Sequence, residues 1–125
     1  MRADVPDTYG YLRVYEKDNV KLACHVTPTN TTTVRWHHRD HVDYGAPLEY
    51  DIYIDGQIYD RLKRRFSIYD QSAGDYSLTI VNILPDDAGR YRCFNQEQLL
   101  KTYVIYVDCE YLLDTCIFGS NCLHN

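Results

Sequence analysis

Asp86-Asp87-Ala88-Gly89-Arg90-Tyr91-Arg92-Cys93 is the stretch on which the fold turns. It reads as a tight corner leading into a buried strand. Tyr91, two residues before Cys93, can return its hydroxyl to the backbone of that corner, and Cys93 then points into the core. Asp87 places a carboxylate six residues before the cysteine, and Arg65 stands just before Phe66. An arginine fork suits a bidentate carboxylate contact.

The stretch sits in a chain of 125 residues, which fits one domain with a short appendage. A net charge of −5 argues against a nucleic-acid binder, because no basic field offsets phosphate charge. No apolar run approaches the ~20 residues that span a bilayer, and Met1-Arg2-Ala3-Asp4 opens without the apolar stretch of a secretory leader. Five cysteines favour an oxidising compartment, and Asn30-Thr31-Thr32 is a glycosylation sequon in a surface loop. The chain is expected to be extracellular, either secreted or the ectodomain of a membrane-anchored glycoprotein.

Working outward, the strands announce themselves by alternation. Tyr11 to Tyr15 is a first strand. Val20, Leu22, Cys24 and Val26 alternate with Lys21, Ala23 and His25, which turns Cys24 inward. Val34-Arg35-Trp36-His37-His38 follows, with Trp36 twelve residues after Cys24. Leu48, Tyr50, Ile52 and Ile54 are read as the inward side of a fourth strand, and Glu49, Asp51 and Tyr53 as its outward side. Asp55-Gly56 signals a hairpin into a short edge strand, Gln57-Ile58-Tyr59. Phe66 to Asp70, Tyr76 to Val81 and Leu99 to Val107 complete the set, with Leu78 and Ile80 facing the core.

Cysteine, tryptophan, tyrosine corner and arginine–aspartate pair, in that order, resemble the variable-type (V-set or I-set-like) domains of the immunoglobulin superfamily. The resemblance covers residues 9–108 and implies an all-β fold: a two-sheet antiparallel immunoglobulin V-type sandwich with Greek-key connections. It further implies a Cys24–Cys93 disulfide packed on Trp36, with Tyr91, Arg65 and Asp87 as structural residues. Where rearranging receptors carry a Phe-Gly-x-Gly bulge, Lys101-Thr102-Tyr103-Val104 stands instead, which argues against antibody-style pairing. Residues 109–125 form a cysteine-rich C-terminal tail. Cys116, Cys122 and the following Leu-His-Asn resemble the opening of an EGF-like module. Once Cys24 and Cys93 pair, Cys109, Cys116 and Cys122 leave one thiol over, which would be free or would bridge two chains into a homodimer.

Candidate chemistry is sparse. His38, His41 and Asp43 could form a loop metal site, but surface histidines are the better reading, and neither metal nor cofactor is expected. No nucleophile–base order or Gly-rich phosphate loop is present, so the chain is not read as an enzyme. Arg61, Lys63 and Arg64 form a basic run that could take a sulfated glycan. The remaining feature is a sheet face. In variable-type domains this face docks other immunoglobulin domains, and its outward residues here would be Arg35, His37, Glu49, Asp51, Tyr53, Arg92 and Phe94, joined by Val104 and Tyr106. It mixes aromatic anchors with both signs of charge. The expected function is cell-surface recognition or adhesion, homophilic or heterophilic, through that face. The alternative is a secreted immunoglobulin–EGF-type module binding a glycan or a growth-factor-like receptor.

Overall fold

The computed structural model describes residues 9–40 and 48–108. Among the described residues nine strands follow one another: β1 (Tyr9–Tyr15), β2 (Val20–Leu22), β3 (Val34–Arg39), β4 (Glu49–Ile54), β5 (Gln57–Ile58), β6 (Phe66–Asp70), β7 (Asp75–Ile80), β8 (Gly89–Asn95) and β9 (Gln98–Asp108). They form two sheets, β1-β9-β8-β3-β4-β5 and β2-β7-β6. Pairing is antiparallel except for β1, which runs parallel to β9. Among the described residues no helix is long and apolar enough to cross a membrane.

The alternation read from sequence builds the core. Val20, Leu22 and Cys24 from one sheet meet Val34, Trp36, Tyr91 and Cys93 from the other, all buried, with Leu78, Ile80 and Ile105 between them. Cys24 and Cys93 are disulfide-bonded across the sheets. Trp36 lies directly opposite Cys93 in the β3–β8 ladder, and its indole N–H donates to the Tyr76 carbonyl at 2.7 Å. Such a bridge, closing a loop of roughly 70 residues, stabilises by a few kcal/mol.

The corner before β8 has the expected parts. The Tyr91 hydroxyl donates to the Asp87 carbonyl oxygen. The Asp87 carboxylate accepts both Arg65 guanidinium nitrogens, at 2.6 and 3.0 Å, and the Leu84 N–H at 2.8 Å. That hydrogen bond raises the Arg65 pKa against the opposing effect of burial. Gly89 has φ +135°, and a Cβ there would stand 2.3 Å from the Arg39 carbonyl oxygen. Only glycine lets the chain turn from corner to strand so close to β3.

Across the sheets, Tyr103 stacks its ring 6.3 Å from Trp36 and donates its hydroxyl to the Ala23 carbonyl at 2.6 Å. Tyr103→Phe is expected to cost about 1 kcal/mol of unfolding free energy. Urea titration of parent and variant checks this; equal midpoints would show that the hydroxyl contributes nothing.

The fourth strand departs from simple alternation. Trp36 is opposite Tyr53, yet its neighbour His37 is opposite Asp51, so β4 spends one extra residue, Ile52, as a β-bulge. Ile52 and Tyr53 are consequently both buried, and the parity on either side is reversed. Tyr53, expected outward, is 4% exposed with its ring 6.4 Å from that of Tyr76. Ile54 and Leu48, expected inward, are 42% and 61% exposed.

Candidate partner-binding face

The outer side of the six-stranded sheet is organised in two rows that run straight across the strands. In the first, Arg92 of β8 is opposite Thr102 of β9 and His37 of β3, and His37 is opposite Asp51 of β4. In the second, Arg90 is opposite Val104 and Arg39, and Arg39 is opposite Glu49. Both rows therefore pass from arginine on β8 to carboxylate on β4.

The β4 side is internally paired. His37 sends one ring nitrogen to Asp51 Oδ1 at 3.1 Å and the other to Glu49 Oε1 at 3.0 Å. Ionised carboxylates only accept, so both bonds are made together by the imidazolium form, whereas the neutral ring keeps one. The His37 hydrogen bond is the main reason that the Glu49 carboxyl sits below its usual range, and the charges of His37, Arg39 and Arg90 act the same way. Arg35 donates to Asp51 at 3.1 Å.

The β8 side lacks that neutralisation. Among the described residues, no carboxylate lies in salt-bridge reach of Arg39, Arg90 or Arg92. The Nε atoms of Arg90 and Arg92 are buried without a hydrogen-bond partner among the described residues. Burial lowers the Arg92 pKa, and repulsion from Arg90, Arg39 and Arg35 lowers it further, opposed by Glu49. Phe94 is half-buried and lies between two guanidinium groups, 4.3 Å from that of Arg35 and 5.8 Å from that of Arg92. Cation–π contacts of this kind hold an aromatic ring in place.

The residues expected on the face thus separate. Arg35, His37, Glu49, Asp51, Arg92 and Phe94 do lie together on it, and Tyr106 is half-buried on its β9 strand. Tyr53 is removed by the bulge. Val104 is on the outer side by register, but it is 6% exposed and outside the main core cluster. It is flanked by Arg90 of β8 and Tyr11 of β1 in the sheet register. Arg39 and Arg90 were missed, although the period of two from His37 and Arg92 marks both. Ile54, missed through the bulge, is the exposed apolar residue at the end of β4.

The other candidates fall elsewhere. His38 is 1% exposed, inside the sandwich between Tyr91 and Tyr50, with ring centroids at 4.3 and 5.3 Å. This corrects its reading as a surface histidine; His41 and Asp43 lie outside the described residues, as do Cys109, Cys116 and Cys122. Within the basic run, Lys63 pairs with Asp60 at 3.1 Å, Arg61 lies over the Tyr59 ring, and Arg65 is committed to Asp87. Arg61 and Arg64 remain at the rim of a cleft of about 440 Å³. Asn30 is exposed in the loop between β2 and β3. Ser77, Asp75 and His25 approach one another, but the buried Ser77 hydroxyl donates to Asp75 at 2.5 Å and accepts the Cys24 N–H, while His25 stands 3.8 Å from the same carboxylate. The serine is therefore held by the acid rather than by a base, an arrangement that does not generate a nucleophile.

The sequence over residues 8–104 matches the immunoglobulin V-set domain. The chain belongs to the V-set family. V-set domains are typically extracellular, non-enzymatic recognition domains, and this V-set domain has the disulfide, tryptophan and tyrosine corner of that fold. Among solved structures, Drosophila Semaphorin 2a is similar with a TM-score of 0.55 and 24% identity, over 81% of this chain and 14% of the semaphorin chain. The V-set domain thus spans only a small part of that relative's length. The crystal structure of the ZIG-8–RIG-5 IG1–IG1 heterodimer is similar with a TM-score of 0.59 and 19% identity, over 86% of this chain and 90% of the other. At these identities the likeness is one of fold. No curated protein matches the sequence.

Proposed function

We propose that this V-set domain is the recognition module of an extracellular adhesion or receptor protein, and that it docks the outer face of its six-stranded sheet onto another immunoglobulin domain. The observation that carries the reading is the set of arginines Arg39, Arg90 and Arg92, which have no carboxylate in salt-bridge reach among the described residues and share the face with Phe94, held by Arg35 and Arg92. Burial first, and then repulsion from Arg90, Arg39 and Arg35, lowers the Arg92 pKa, and a partner's carboxylates would offset that repulsion. Interface cores favour arginine and aromatic anchors of this kind. The ZIG-8–RIG-5 structure is itself a pair of immunoglobulin domains, which supports the choice of partner class.

The test uses the V-set domain as a multimer, applied to an array of purified immunoglobulin ectodomains that includes this chain itself. Phe94→Glu is expected to weaken any positive interaction by at least about tenfold. Because Phe94 is only half-buried, thermal unfolding should change little. An interaction unaffected by Phe94→Glu would place recognition on another surface and sink the reading.

A further inference from the structure

We propose that the face is self-complementary, so that the partner is a second copy of this chain; this rests on the docking reading above. The argument is one of symmetry. A two-fold axis lying between two facing sheets, parallel to the strands and above β3, keeps each row in its place and exchanges the two sides of the sheet. The β8 column of one copy then covers the β4 column of the other. Arg92 meets Asp51 of the second copy, and Arg90 meets Glu49, while β3 faces β3.

The charges are segregated in the way that this operation requires. Arg90 and Arg92 occupy β8, with Arg35 and Arg39 on the central strand. Glu49 and Asp51 occupy β4, and Asp55 and Asp60 join Asp51 around a cleft of about 550 Å³ at the adjoining hairpin. The operation sets Arg90 and Arg92 of each copy against Glu49 and Asp51 of the other, while Arg35, His37 and Arg39 lie along the axis beside their own copies. The overall charge of −5 lies elsewhere and is screened beyond roughly 8 Å at physiological salt. A partner with a uniformly acidic face would satisfy the arginines but would oppose Glu49, Asp51, Asp55 and Asp60. A copy of this face sets opposite charges against both the β8 and the β4 column, which a partner of uniform charge does not. Closed two-fold pairing through one shared patch is also the commonest way for chains to associate.

The experiment is a charge exchange followed by sedimentation. The full chain carries Cys109→Ser, Cys116→Ser and Cys122→Ser, so that no tail disulfide contributes. The parent should show a concentration-dependent dimer that weakens with salt. Arg92→Glu alone and Asp51→Arg alone should each weaken it by at least about tenfold, because each puts like charges together at both symmetric contacts. Mixed one to one, the two variants restore opposite charges at both contacts and should dimerise with each other. Arg90→Glu with Glu49→Arg is the second pair, should either first variant fail to fold by circular dichroism.

A parent that stays monomeric at every concentration overturns the inference. So does a dimer that the reversals leave intact, or that mixing fails to restore. A parent silent towards itself that binds a different immunoglobulin ectodomain, with binding lost in Phe94→Glu, overturns self-complementarity and leaves the docking reading standing.

Discussion

Asp87→Ala is expected to lower the unfolding free energy by about 3–5 kcal/mol, the range for removing one partner of a buried ion pair. The carboxylate side chain is 5% exposed and holds both nitrogens of the Arg65 fork as well as the Leu84 N–H. Its loss strands a guanidinium that is itself largely covered, and it loosens the corner whose carbonyl receives the Tyr91 hydroxyl. Arg65→Ala should fall in the same range. The double variant should cost clearly less than the sum of the two, because it leaves no uncompensated charge. Urea titration of the four proteins measures the coupling. Strict additivity would show that the pair does not act as a unit.

The second large effect is one of pH. His38 is buried with neither ring nitrogen hydrogen-bonded among the described residues. Burial drops its pKa to about 4, although the Asp87 and Asp40 carboxylates pull the other way. The unfolded chain binds this proton near pH 6.5, so between those values it holds more protons than the folded one. Stability is therefore complete above about pH 6.5 and is lost as pH falls towards 4. The loss should be about 2 kcal/mol by about pH 5 and roughly 3 kcal/mol in full. His38→Leu, similar in size and without polar atoms, should keep or raise stability at neutral pH and remove this part of the slope. Denaturation of both proteins at about pH 7.5 and 5 gives the comparison, and parallel losses would exclude His38 as the cause.

The two predictions draw on residues of unequal legibility. Asp87 could be found because its role is fixed by spacing: a cysteine and tyrosine at set distances, and one arginine before a strand. The same is true of Cys24 and Trp36. Strict alternation carried β2, β3 and β8, where a residue's face follows from counting in twos. Counting fails at Ile52, because a bulge is set by how β4 must bend against β3 and leaves no mark in the local pattern. That single extra residue buried Tyr53, exposed Ile54, and removed one of the aromatic anchors expected on the face, while Leu48 is exposed because it precedes the strand. Val104 shows a different limit. Its side of the sheet was counted correctly, but exposure also depends on the side chains of the strands on either side of it, which counting within one strand does not give. His38 was read as a surface histidine because imidazole is polar, although counting in twos from Trp36 turns it inward with the core.

The margins of the two sheets differ in what they offer a passing chain. β5 has two residues and β2 has three, so these borders present little free backbone, whereas the opposite borders, β1 with seven residues and β6 with five, are longer. Strand addition, which reads no sequence and is slow to reverse, is thereby confined to one border of each sheet.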